Sequence, residues 1–181
     1  MGLTYIASVT ASASATLSFT SGIDATYNEY QFHFVNMHPA TDAVEFQFQV
    51  NASDDTGGGF DTSLITSTYL NVYHYENDSS SALGYETGHD EAQAANYQDV
   101  SRGVGNGNDE SVSGVLTLYA PSSTTYVKHF SSTTNCYFSD NVSLQSLAAG
   151  YINQTLAIPE ISFQFHSGNI DSGTIHMYGV G

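Results

Sequence analysis

Hydrophobic and polar residues alternate in short segments along most of the chain. The clearest segments are residues 30–35 (YQFHFV) and 45–50 (EFQFQV), in which every second residue is a large apolar one. A period of two predicts a β-strand with one buried and one solvated face. Turn-forming residues at 36–39 separate the two segments, so we predict that they form an antiparallel pair.

Other segments show the same alternation, each bounded by Gly, Asn, Asp or Pro. They are residues 64–75, 112–119, 124–130, 161–165 and 175–177. The last two are expected to form a hairpin around the turn-rich segment 167–173. Residues 90–102 (DEAQAANYQDVSR) begin with two acidic residues, which favour the first turn of a helix, so a short helix or turn is predicted there.

The organisation of the chain is predicted to be simple. No composition break or Pro-rich linker divides residues 1–181, which favours one domain, and the Ser/Ala/Thr-rich residues 1–18 are expected to form an N-terminal arm or a first strand. About eight strands or more pack best as two sheets face to face. The predicted fold is all-β: an antiparallel two-sheet β-sandwich, jelly-roll-like.

The charge balance excludes several classes of partner. Lys and Arg total 2 against 18 Asp and Glu, for a net charge of -16. Nucleic acids and anionic membrane surfaces are bound mainly through basic side chains, so neither is expected as a partner. No apolar run near the start is long enough for a signal or a membrane span, which predicts synthesis in a cytoplasm and no membrane insertion.

Candidate metal chemistry is confined to acidic turns. Three loops offer oxygen ligands of the kind that calcium accepts, at residues 54–61, 76–78 and 106–110. The first is the best candidate because Asp54, Asp55 and Asp61 lie within eight residues. None has the spacing of an EF-hand, and solvated turns explain the same composition. We therefore predict no cofactor, with calcium as the alternative.

No catalytic motif stands out. Gly-x-Ser-x-Gly and phosphate-binding glycine loops are absent, and no carboxylate pair is distinguished from the rest. The single cysteine, Cys136, excludes an internal disulfide and is interpreted as an ordinary strand residue. The expectation is a non-enzymatic protein.

Tyrosine is the most distinctive residue type, with 13 Tyr and no Trp. Tyr69, Tyr73 and Tyr75 share one phase of a predicted strand. Such rings contact protein partners or stack on sugars, so these three are the candidate contact residues. The structural alternative is that they fill cross-strand pairs at the rim of a sheet.

Residues 19–24 with 27–35, 111–130 and 167–179 give the chain a family resemblance. These segments resemble small virion structural proteins of tailed, often aquatic, bacteriophages, and they span the start, middle and end of the chain. The resemblance implies a β-sandwich component of the particle and supplies no catalytic residue. Capsid cement, head fibre, tail fibre and tail tip all remain open under it.

Composition and resemblance together lead to three hypotheses. The first is a non-enzymatic structural protein on the virion surface, used for capsid decoration or as a head fibre, since a chain of this charge is repelled by packaged DNA. It is expected to form a homotrimer, with Tyr, Phe and strand edges at the contacts between copies, and to contact other virion proteins. The second is a tail-fibre or tail-tip protein that binds a receptor or a host surface glycan. The third is a hydrolase acting on host polysaccharide.

Overall fold

A computed structural model describes residues 2–53, 60 and 63–181 of the chain. All its regular elements are β-strands, which confirms the all-β prediction. The strands are β1 (Leu3–Thr10), β2 (Leu17–Phe19), β3 (Glu29–Pro39), β4 (Val44–Asn51), β5 (Ile65–Tyr75), β6 (Ser81–Tyr85), β7 (Ala92–Ala94), β8 (Gln98–Val104), β9 (Val112–Tyr119), β10 (Lys128–Phe138), β11 (Val142–Ile152), β12 (Glu160–Phe165) and β13 (Ile170–Val180).

The strands form two antiparallel ladders that join at one point. The long ladder runs β1-β13-β3-β9-β10-β11-β5, and β6 and β7 both pair with the outer edge of β5. The short ladder runs β8-β4-β12-β2. A single residue pair, Phe138 with Val104, connects β10 to β8. The chain therefore forms one continuous antiparallel sheet.

The sheet curls back on itself around a phenylalanine core. Phe34 of β3 lies perpendicular to Phe46 of β4, with ring centres 5.2 Å apart. Phe32 of β3 lies 5.6 Å from Phe163 of β12. β3 is not a neighbour of β4 or β12 in the strand order, so these rings meet across the interior. The two ends of that order, β1 and β2, also approach each other, which nearly closes the sheet.

Two predicted strand pairings are wrong. β3 pairs with β13 and β9, whereas β4 pairs with β12 and β8, so the segments around residues 30–35 and 45–50 face each other across the core instead of lying side by side. β12 and β13 likewise belong to different ladders, and the segment between them crosses from one to the other. Alternation identified these strands, but it carries no information about their neighbours.

The predicted turn at 36–39 is a bulge inside β3. Asn36 has a φ of 51°, and the register with β9 shifts between Phe34 and Met37. The shift resets the alternation, so Phe34 and Met37 both face the core although they are three residues apart. An Asn tolerates this left-handed conformation better than most residues.

The predicted helix at 90–102 is also wrong. β7 pairs with β5, and β8 pairs with β4. Val100 is the one large aliphatic residue of the segment, so a helix here has no apolar stripe to bury. As a strand, the segment buries Val100 completely and completes the short ladder.

The N-terminal segment forms a strand. β1 pairs with β13 from Leu3 to Thr10, so most of the region expected as an arm or first strand is part of the sheet. Within the part of the chain that the structure describes, no helix has the length and hydropathy to cross a bilayer.

Candidate functional site

The three candidate tyrosines lie on the inner face of β5 but differ in exposure. Tyr69 is fully buried, and its hydroxyl donates to Ser146 Oγ at 2.7 Å. Burial raises the pKa of Tyr69 well above its ordinary value. A buried, hydrogen-bonded ring is closed to a partner or a glycan, so the structure corrects the prediction for Tyr69. Tyr73 and Tyr75 are half-buried and accessible.

Tyr73 and Tyr75 line a recess of about 320 Å³, here called the tyrosine recess. Their rings are nearly perpendicular, with centres 6.0 Å apart. The recess lies between the inner face of β5 and β11 and the first residues after β6. Its lining residues are Asn71, Tyr73, Tyr75, Glu86, Arg102, Phe138, Val142 and Leu144.

The tyrosine recess contains one of the two basic residues of the chain. Arg102 Nη1 lies 3.1 Å from Glu86 Oε2, and both side chains are partly exposed. The guanidinium carbon also lies 5.7 Å from the centre of the Phe138 ring, within the range of a cation–π contact. The ion pair and the ring together hold the guanidinium plane at the recess wall.

Asn71 is the buried polar residue of the tyrosine recess. Its side chain is 1% exposed, and Nδ2 donates to Glu86 Oε1 at 3.0 Å. Its Oδ1 has no hydrogen-bond partner among the described residues. A buried acceptor left without a donor costs about 1–3 kcal/mol. The recess is thus lined by a buried acceptor without a partner among the described residues, and beside it lies an ion pair that offers one donor and one acceptor.

A second and larger recess, here called the histidine recess, is lined by His89, whose ring centre lies 5.3 Å from that of Tyr69. It measures about 720 Å³. His89 Nδ1 lies 2.6 Å from Asp99 Oδ2, and Gln47 Nε2 donates to Asp99 Oδ1 at 2.7 Å. The lining residues are Glu45, Gln47, Gly88, His89, Glu91, Ala95, Asn96, Tyr97, Asp99, Gln164 and His166.

The histidine recess is acidic. Glu45, Glu91 and Asp99 contribute carboxylates, and burial raises the pKa of Glu91. The hydrogen-bonded pair of His89 and Asp99 lies at the wall of the recess. In the described residues, no three His, Cys, Asp or Glu side chains are grouped as a metal site. Sequence reasoning missed this recess because His89 directly precedes, and Asp99 lies within, the segment 90–102 interpreted as a short helix or turn.

The predicted metal loops have different outcomes. Asp54, Asp55 and Asp61 lie outside the described residues. In the loop at 76–78, Asp78 pairs with His74 at 3.0 Å. In the loop at 106–110, Glu110 Oε2 accepts from the backbone of Gly107 at 2.6 Å, as in an ordinary turn.

Cys136 lies buried on β10, as a strand residue. Burial raises the pKa of its thiol to about 11. Its Sγ contacts the backbone carbonyl oxygen of Arg102 at 3.4 Å. A thiol in this state is a weak nucleophile.

The outer face of β5 and β6 carries an exposed apolar patch, here called the outer patch. It consists of two cross-strand pairs, Leu70 with Tyr85 and Val72 with Leu83. All four side chains are exposed, and Leu83 is 69% exposed. The Tyr85 hydroxyl donates to Asp90, which places a carboxylate at the margin of the patch.

No protein-family model matches the chain, and no significant match is found among the curated proteins or the solved structures.

Proposed function

We propose that this chain is a non-enzymatic structural protein on the outer surface of a tailed-phage virion, used for capsid decoration or as a head fibre. One observation carries the proposal. The segments that resemble phage virion proteins include all of β9 and most of β3 and β13, and these three strands are direct neighbours in the long ladder. Most of a resemblance spread over the sequence thus falls on one contiguous piece of sheet, with residues 19–24 outside it.

The charge distribution supports a position away from packaged DNA. Lys128 is fully buried, and its Nζ donates to the backbone oxygens of Tyr126 at 2.9 Å and Gln154 at 3.1 Å. Arg102 is paired with Glu86. Since these are the two basic residues of the chain, neither is free to neutralise a phosphate backbone. A protein of net charge -16 is then repelled from DNA.

The finer fold is part of the proposal. We propose that the long and short ladders are the two layers of a jelly-roll-like β-sandwich. The ring contacts of β3 with β4 and β12 support this arrangement, because they join the two ladders through side chains and not through backbone pairing.

Attachment to the particle is proposed to use the outer patch. Exposed cross-strand apolar pairs on a short edge strand are typical of a contact surface. The partner is another virion protein or a further copy of the chain in a homotrimer. Carboxylates repel between copies, so assembly at low ionic strength is expected to be weaker than at high ionic strength. Indifference to salt and to a calcium chelator would count against this mode of attachment.

Imaging of purified particles tests the proposal. Particles are labelled with an antibody against this chain and viewed by cryo-electron microscopy, and the mass of the free protein is measured in solution. Label over the faces of the head is the expected result. Label on no particle would overturn the proposal, and an antibody preabsorbed with the pure protein provides the control.

A second function is favoured by the tyrosine recess. A tail-fibre or tail-tip protein that binds a host receptor needs an accessible pocket with aromatic and hydrogen-bonding walls, and this recess has both. Label at the tail in the same images would place this second function first.

A further inference from the structure

We infer that the tyrosine recess binds a neutral saccharide, with Asn71, Glu86 and Arg102 as its polar contacts and Tyr73 and Tyr75 as its apolar wall. This inference deepens the second function proposed above, since it names the ligand class and the atoms that recognise it. It rests on the geometry of the recess and applies wherever the protein is located on a particle.

The hydrogen-bonding pattern selects a ligand that both donates and accepts. Asn71 Oδ1 is a buried acceptor without a partner in the described chain, so it requires a donor. The Glu86 carboxylate also accepts, whereas the Arg102 guanidinium only donates. Neighbouring hydroxyl groups of a sugar ring satisfy all three, because each hydroxyl donates one hydrogen bond and accepts others. A carboxylate or a phosphodiester group has no proton to give to Asn71 or Glu86.

Electrostatics exclude an anionic ligand on independent grounds. Glu86 lies 3.1 Å from the Arg102 guanidinium and cancels most of its charge. The rest of the chain adds a strongly negative field, with a net charge of -16. An anion entering the tyrosine recess meets repulsion without a free cation, whereas an uncharged sugar does not.

The apolar wall and the size of the recess fit one or two sugar rings. The Tyr73 and Tyr75 rings are at 84° to each other and form a corner on which the C–H face of a pyranose packs. A volume of about 320 Å³ is at the lower end of the range for small-molecule sites, about 300–1,000 Å³.

NMR titration of the full chain with methyl glycosides tests this inference. The probes are the α- and β-methyl glycosides of glucose, galactose, mannose and N-acetylglucosamine, with galacturonic acid as the anionic comparison. At least one neutral glycoside is expected to bind with a dissociation constant of about 1 mM, as a small pocket with few contacts allows. The shifted signals are expected to come from the residues that line the tyrosine recess.

Paired tyrosine variants localise the binding. Tyr75→Ser removes one ring from the wall, and Tyr85→Ser removes a comparable ring from the opposite face of the sheet. We expect Tyr75→Ser to weaken binding at least about tenfold, or about 1.4 kcal/mol, and Tyr85→Ser to leave it unchanged. Asn71→Leu keeps the number of side-chain heavy atoms and removes both the buried acceptor and the amide that donates to Glu86, with the same expected loss.

Three results would overturn the inference. The first is that no neutral glycoside binds at about 10 mM, some tenfold above the expected dissociation constant. The second is that Tyr75→Ser and Tyr85→Ser weaken glycoside binding equally. The third is that galacturonic acid binds more tightly than the galactosides. If Asn71→Leu does not fold, the tyrosine pair decides alone. If the protein binds a saccharide but the antibody labels no particle, this inference is retained and the virion function is rejected.

Discussion

The contact between Phe34 and Phe46 is the sharpest test of the proposed two-layer fold. The two rings are 2% and 0% exposed, belong to different ladders, and meet at 5.2 Å and 88°. An edge-to-face pair of this kind contributes about 0.5–1.5 kcal/mol beyond the burial of its area. Phe34→Leu and Phe46→Leu, separately and together, remove the ring contact and keep both positions apolar.

Each single substitution is expected to cost about 1–2 kcal/mol, within the usual range for a conservative core change. If the rings touch, the double variant loses less than the sum of the two single variants, by about 0.5–1.5 kcal/mol. A domain of this size has a total stability of about 5–15 kcal/mol, so the double variant remains folded.

Urea unfolding followed by circular dichroism measures the free energies of unfolding for the cycle. Phe34 and Phe130 form the control pair. Phe34 pairs with Gly114, which pairs with Thr134, so Phe130 lies two strands and four residues away. That pair should be additive within about 0.3–0.5 kcal/mol. Equal, near-zero coupling in both cycles would show that β3 and β4 do not face each other and would refute the two-layer arrangement.

Three further predictions follow from burial and backbone packing. Glu91→Gln is expected to raise the free energy of unfolding at neutral pH. Because burial raises the pKa of Glu91 in the folded state, the stabilising contribution of Glu91 is present below the ordinary pKa of 4.5 and is lost as the pH rises through the raised pKa. Urea titrations of wild type and variant should therefore give the same stability under acidic conditions, and a stability gain that grows as the pH falls would contradict this. Gly114→Ala is expected to destabilise the chain by about 1–3 kcal/mol in thermal unfolding, because an added Cβ would lie 2.6 Å from Thr134 Cα, whereas Gly88→Ala meets nothing within 4 Å and should behave as wild type; equal melting temperatures would be inconsistent with the β9–β10 packing. Cys136, with its thiol pKa raised to about 11 by burial, should resist iodoacetamide in the native protein at mildly alkaline pH and react fully in urea, and rapid native labelling measured by mass spectrometry would show that β10 opens readily.

The sequence alone determined the clearest strands and the charge. Alternation at 30–35 and 45–50 predicted β3 and β4, because a strand places successive side chains on opposite faces whatever its neighbours are. The scarcity of Lys and Arg predicted a surface unsuited to nucleic acid, since this property depends on composition. These features are local or additive, and a single sequence is sufficient to show them.

The tertiary structure decided the partners of each strand and the accessibility of each side chain. Tyr69 and Tyr73 have the same phase on β5, yet Tyr69 is sealed against Ser146 and Tyr73 lines a recess. Asn71, Glu86 and Arg102 come from three separate segments, and no spacing in the sequence indicates that they meet. A period of two specifies which face of a strand is buried, whereas pairing and packing depend on contacts between residues far apart in the chain. For this reason the two recesses became visible only in the folded chain.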